Sequence, residues 1–153
     1  MPCKYELSDE YRELAYAVID AVPELWMIKQ ADIRVGFIKS FKEKHDGDNH
    51  VLGQCIKVPE IYVELLSLDF LIVIYEPNVV GLTTNQKKVL MWHELKHIGI
   101  RDTDGEPMYI TVPHDREEFD SIINRVGMYW SEPGAEVPDI FTDNGKAVTV
   151  RGE

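Results

Sequence analysis

Cysteine is nearly missing from this chain. Cys3 and Cys55 are the only two in 153 residues, and no CxxC pair occurs. Two isolated thiols exclude a disulfide framework and a thiolate zinc site, and they suit a reducing cytoplasm. Long apolar runs are lacking too: none exceeds the six residues Phe70 to Tyr75, far short of the roughly 20 a membrane-spanning helix needs. The opening MPCKYE has neither the positive region nor the apolar stretch of a secretory signal, so a soluble cytoplasmic protein is expected. Basic residues are scarce. Sixteen Lys and Arg stand against 27 Asp and Glu, a formal charge of −11 that repels phosphate backbones and disfavours nucleic acid as a partner. Basic proteins or peptides are better tolerated. Internal repeats and low-complexity blocks are absent as well.

What is present fits one domain with a single core. Ser8 is a good N-cap, Asp9 and Glu10 follow it, and Tyr11, Leu14, Ala15, Val18, Ile19 and Val22 recur at helical spacing, which predicts a helix over 9–22. Alternation at Ile33, Val35 and Phe37 predicts a strand, and the polar run Lys39–Asn49 a loop. Gln54–Val58 reads as a second strand, ended by Pro59, which opens a short helix through Ile61, Tyr62, Leu65 and Leu66. The continuously apolar, β-branched "DFLIVIY", Asp69 to Tyr75, suits a strand covered on both faces. Thr83 with Gln86 forms a capping-box pattern for the next helix, and Gly99 is placed to stop it. "IRDTDGEPMYITV" predicts a hairpin turning at Asp104-Gly105. Asp115 with Glu118 would cap a last helix over 116–130, leaving residues 131–153 as an acidic, loosely ordered tail with a short strand at Ala147–Val150.

The chemistry concentrates in "MWHELKHIG", Met91 to Gly99. Side chains four apart on a helix share a face, so His93 and His97 can converge on one zinc at about 2.0–2.1 Å each. Glu94 is rotated about 100° around the axis from His93, away from the metal but within reach of a water beside it, which is the place for a general base. Shuffling this composition would produce the five-residue pattern only about 0.02 times. The competing explanation is a pair of ordinary core histidines, and Lys96, a charge between Glu94 and His97, favours it.

A catalytic zinc takes three protein ligands and leaves one position open. His114 is the preferred third, because the predicted hairpin returns the chain towards the helix; Glu117 and Glu118 are the rivals. "HDGDNH", with His45 and His50 around Asp46 and Asp48, has metal-binding residue types but no regular structure to fix them, and reads as a polar loop. Tyr62, Tyr109 and Tyr129 are candidates to hold an oxyanion, though each fits a structural role better.

The succession "DFLIVIY", "HELKHIG", the "DG" turn and "HDREEF" resembles the phage metallopeptidase family, small zincin-like proteins distantly related to SprT-like proteases. The resemblance spans roughly residues 32 to 130, with its specific part in Asp69–Phe119. It implies an α+β zincin-like fold, a small mixed sheet packed on an HExxH helix, within a metallopeptidase domain at 1–130. It also implies Zn2+ held by His93, His97 and His114 with Glu94 as base, in a bacterial host cell. SprT-like proteins carry glycine after their third histidine, where this chain has Asp115, so the phage group is the nearer relation. A zinc-dependent peptidase acting on a protein or peptide is therefore the expected function. A non-catalytic zincin-like module docking on a host or phage protein, and a protease dedicated to one regulator, are the alternatives. Oligomeric state and substrate are open at this stage.

Overall fold

Six consecutive apolar residues make β6 (Phe70–Tyr75) the strand that anchors the sheet. The computed structural model describes residues 4–114, 118–143 and 146–147. Along the chain run β1 (Tyr5–Leu7), α1 (Asp9–Ala21), a 3-10 turn (Pro23–Leu25), α2 (Met27–Gln30), β2 (Val35–Ser40), β3 (His45–Asp46), β4 (Asn49–His50), β5 (Gly53–Lys57), α3 (Glu60–Leu66), β6, α4 (Glu76–Val79), α5 (Thr84–Lys96), β7 (Ile98–Thr103), β8 (Glu106–Thr111), α6 (Asp120–Val126), β9 (Thr142–Asp143) and β10 (Lys146–Ala147). The result is α+β with a small mixed sheet, as expected.

That sheet has the order β1-β2-β6-β5. β2 pairs parallel with β6, Val35 against Phe70, while β1 and β5 pair antiparallel with their neighbours. Phe70, Ile72 and Ile74 of β6 are buried with Val35 and Phe37 of β2 in one core shared with α1 and α5. Val73 and Tyr75 are buried too, so β6 is covered on both faces, the reason it can be apolar throughout. Helix α1 begins where expected: the Ser8 side chain accepts from Tyr11 N at 3.1 Å.

Helix α5 starts with the full capping box. Gln86 N donates to Thr83 Oγ1 at 3.1 Å, and Thr83 N to Gln86 Oε1 at 2.8 Å. The helix ends at Lys96 with His97 as its C-cap, three residues before the expected boundary allows Gly99 any stopping role. Gly99 lies instead inside β7, paired with Ile110. A Cβ there would come within 2.4 Å of Val112 Cγ2, so the glycine serves close approach of two strands rather than helix termination. The hairpin turns at Asp104-Gly105 as predicted, both residues with positive φ (52° and 80°).

The last helix is shorter than its periodicity suggested: α6 covers Asp120–Val126 with Phe119 as N-cap, so Glu118 precedes the helix and Trp130 follows it. Gly127, at φ 88°, ends α6 before the apolar spacing runs out. Asp115, Glu117, Cys3 and all of the Ala147–Val150 strand beyond Ala147 lie outside the described residues. The polar loop at 41–52 contains the two-residue strands β3 and β4, pairing His45 with His50. Helix α3 forms as expected, but none of its residues is buried. Beyond α6 the chain lies along α5: Gln86 Nε2 donates to the Trp130 and Glu132 carbonyls at 2.9 and 3.1 Å, Lys88 pairs with Asp139 at 2.9 Å, and Ile140 is buried.

Candidate metal centre

Helix α5 is buried nearly all round, with Val89, Leu90, Met91, Trp92 and Leu95 in the core. Its C-terminal turn therefore sits rigidly against the sheet with His93 and His97 turned to one side. Their rings lie 5.1 Å apart between centroids. The β7–β8 hairpin leaves from this turn and returns to it. Val112 N donates to the His97 carbonyl at 2.6 Å, extending the ladder one pair beyond Ile98 and Thr111. Two residues later the chain delivers His114, whose Nε2 lies 2.9 Å from His93 Nε2 and 3.0 Å from His97 Nε2. Among the described residues, these three form the group of metal-ligating side chains that converges.

The outer face of each helix histidine is held. His97 Nδ1 lies 2.6 Å from the Val112 carbonyl. His93 Nδ1 lies 2.6 and 2.7 Å from the two oxygens of Glu118, which also accepts from Phe119 N at 2.8 Å and Trp130 Nε1 at 2.9 Å. An acceptor opposite Nδ1 places the ring proton there, so the Nε2 of both rings carries its lone pair inwards. At least two lone pairs thus face a common point with His114 Nε2 close to both, an arrangement suited to a shared proton or to a metal cation among the nitrogens. Two imidazole nitrogens at about 2.0–2.1 Å from one tetrahedral zinc would be about 3.3 Å apart, within a few tenths of the separations here. The donor set fits zinc.

The electrostatics follow from burial and neighbours. Burial lowers the His97 pKa to about 4, helped by His93 and His114 and opposed by the Val112 carbonyl. Burial also disfavours charge on His93, but the bond to Glu118 and the charges of Glu94 and Glu118 outweigh it and raise its pKa. Glu118 would be raised by burial; its bonds from His93, Phe119 N and Trp130 bring it below the usual carboxylate range. Glu94, 4% exposed, is pushed up to about 7 by burial, with Glu118 adding and His93 opposing. Its Oε2 lies 4.0 Å from His93 Nε2, and it makes no hydrogen bond to a described residue. Gly53 of β5 leaves room for it: a Cβ there would lie 3.2 Å from Glu94 Cγ and Oε2.

The predicted residues are thus sorted by position. His93, His97 and His114 meet, with Glu94 beside them. Glu118 sits on the Nδ1 side of His93, away from the three Nε2 atoms, and so holds a histidine instead of joining the cluster. Lys96 leaves the helix on another side, its Nζ 3.2 Å from Glu24 Oε2 and 5.8 Å from the Phe119 ring centre. Tyr129 lines a cavity with His93 and Glu94, whereas Tyr109 packs on Phe70 and lines a different cavity, and Tyr62 is an exposed residue of α3. His45 and His50 stack with ring centres 4.4 Å apart, outside any converging group of three among the described residues. The Glu118, Val112 and Gly53 roles were missed from sequence. The general need of a metal-binding histidine for a second partner was the only hint, and it names no residue.

A converging histidine cluster beside a buried carboxylate on a helix–sheet frame is the kind of site metal-dependent hydrolases use. A family model described as "Putative phage metallopeptidase" matches residues 3–144, nearly the whole chain, and the protein belongs to that family. The match extends well beyond the 32–130 span of the sequence resemblance. Searches of curated proteins and of solved structures gave no match. No helix among the described residues is long and apolar enough to cross a membrane.

Proposed function

We propose that this protein is a zinc-dependent peptidase of the HExxH type, in which His93, His97 and His114 hold the metal and Glu94 is the general base. The observation that carries the reading is His114 Nε2 lying 2.9 and 3.0 Å from the Nε2 atoms of His93 and His97, beside a carboxylate that makes no hydrogen bond to a described residue. Zinc bound there would supply Lewis acidity, polarising the scissile carbonyl and lowering the pKa of water to about 7. Glu118 and the Val112 carbonyl fix the tautomer of His93 and His97, so the metal-facing nitrogens are ready without rearrangement. Glu94 Oε2 takes the proton of the attacking water and delivers it to the departing amine nitrogen as the C–N bond breaks. Burial raises the proton affinity of this carboxylate and so opposes the lowering that a bound cation would cause.

Zinc-loaded wild-type protein is expected to cleave peptides, and Glu94→Gln to bind one zinc per chain while losing about a thousandfold or more in turnover. His97→Ala should lose the metal itself. Elemental analysis and mass-spectrometric cleavage assays on the three proteins decide the matter: undiminished cleavage by Glu94→Gln removes the base assignment, and full zinc content in His97→Ala removes the ligand assignment.

A further inference from the structure

Two chambers meet at Glu94. One, about 380 Å³, is bounded by Gln54, Cys55, His97, Thr111 and His114; the other, about 350 Å³, lies between Leu52 and the segment Met128–Glu132. Gly53, His93 and Glu94 line both. Their chemistry differs. Among the described residues, the first has Glu94 as its acidic lining residue, whereas the second has Glu94, Glu118 and Glu132 and neither lysine nor arginine.

Those three carboxylates are not equivalent. Glu118 is occupied by His93, Trp130 and Phe119 N. Glu94 is 4% exposed, has no hydrogen bond to a described residue, and faces the chamber. Glu132 is exposed at the mouth and makes no ion pair with a described residue. Leu52, Leu90 and Met128 supply an aliphatic wall, while Tyr129, 74% exposed, and the buried Trp130 supply aromatic surface.

We infer that the second chamber receives a lysine or arginine side chain flanking the peptide bond presented at Glu94. Such a side chain has an apolar stem and a charged tip, and the chamber offers a matching order of surfaces. The stem lies on Leu52, Leu90 and Met128; the tip reaches the Tyr129 ring and the Glu132 carboxylate. A glutamate would meet three carboxylates. A leucine would cover the mouth and leave Glu132 without a counter-charge. The formal charge of −11 steers basic segments to the whole surface, and this chamber places aromatic rings and a carboxylate with no ion pair to a described residue next to the reacting group. Because the described lining of the first chamber lacks that set, the preference belongs to one side of the cleaved bond.

The inference rests on the peptidase reading, so its test separates the two. Fluorescent Gly/Ser peptides differing at one position, Arg, Gln, Leu or Glu, are titrated against zinc-loaded Glu94→Gln protein by anisotropy. The Arg peptide is expected to bind about tenfold more tightly than the Gln peptide, and the Glu peptide weakest. Adding Glu132→Lys should abolish the Arg preference, while Glu64→Lys in α3, an equal change of net charge beside a different cavity, should keep it. Glu132→Gln serves the same purpose if the lysine variant is less stable. Equal binding of the Arg and Gln peptides, or an equal loss from Glu64→Lys, overturns the inference. Wild-type cleavage sites mapped on the same peptides add a second arm: cuts beside Arg support the inference, cuts indifferent to it overturn it. Should no peptide be cut by zinc-loaded protein, the peptidase reading falls, and the binding series still decides what the chamber accepts.

Discussion

Glu118 grips His93 from the side opposite the other two rings, and its value lies in charge as much as in geometry. A carboxylate at Nδ1 fixes the ring and makes Nε2 a stronger donor. Glu118→Gln keeps the shape and an acceptor oxygen but removes the charge, so metal affinity is expected to fall about tenfold to a hundredfold with the fold retained. Competition against a chelating dye measures it; unchanged affinity would mean that orientation alone matters. His93, Glu94 and His97 were legible from sequence because their spacing within one helix is the whole requirement. Glu118 was legible only as a carboxylate near the site, since 25 positions separate it from His93 and no local pattern tells a side chain that joins the histidine cluster from one that holds a histidine.

At the scale of elements, the site depends on the base of the β7–β8 hairpin. Gly99 lets Val112 pack closely against β7, and the Val112 carbonyl in turn orients His97. Gly99→Ala would push Val112 aside; it is expected to cost about 1–3 kcal/mol in stability and to weaken metal binding as well. Thermal melts with and without zinc test the pair of effects, and a stability loss with intact zinc affinity would separate the hairpin from the site. The hairpin itself was readable from Asp104-Gly105 flanked by extended residues. The role of Gly99 was not: a glycine shortly after a helical run looks like a terminator, and only the partner strand shows what fills the space a side chain would need. The same limit explains the overlong last helix. Apolar residues at helical spacing continue to Trp130, yet Gly127 ends α6 and Trp130 reaches the core from a turn, where its indole donates to Glu118.

For the whole molecule, the segment after α6 matters to stability because it closes one side of α5. Lys88 and Asp139 tie it down at 2.9 Å, and Lys88 also lies 4.1 Å from the Phe141 ring centre. Burial alone would raise the Asp139 pKa, but the Phe141 N–H, Lys88 and Arg125 outweigh it and hold it below the usual carboxylate range. A carboxylate with a depressed folded pKa stabilises the fold above its unfolded pKa, and that contribution disappears as pH falls through the folded value. Asp139→Asn should therefore melt below wild type at pH 6, with the gap shrinking as pH drops through about 4 and below. Calorimetry across that range checks it, and a constant gap would assign the loss to hydrogen bonding rather than charge.

Local sequence alone determined the N-caps of α1 and α5, the turn, the apolar strand and the histidine spacing, because each is a property of residues within a few positions of one another. Tertiary structure decided which of the distant groups met them. It brought His114 back along a hairpin, placed Glu118 behind His93, kept Gly53 clear of Glu94, and closed a carboxylate-lined chamber with residues 128–132. Those placements depend on how helix, hairpin and returning chain pack around one buried helix, and packing is a property of the assembled core that no short stretch carries.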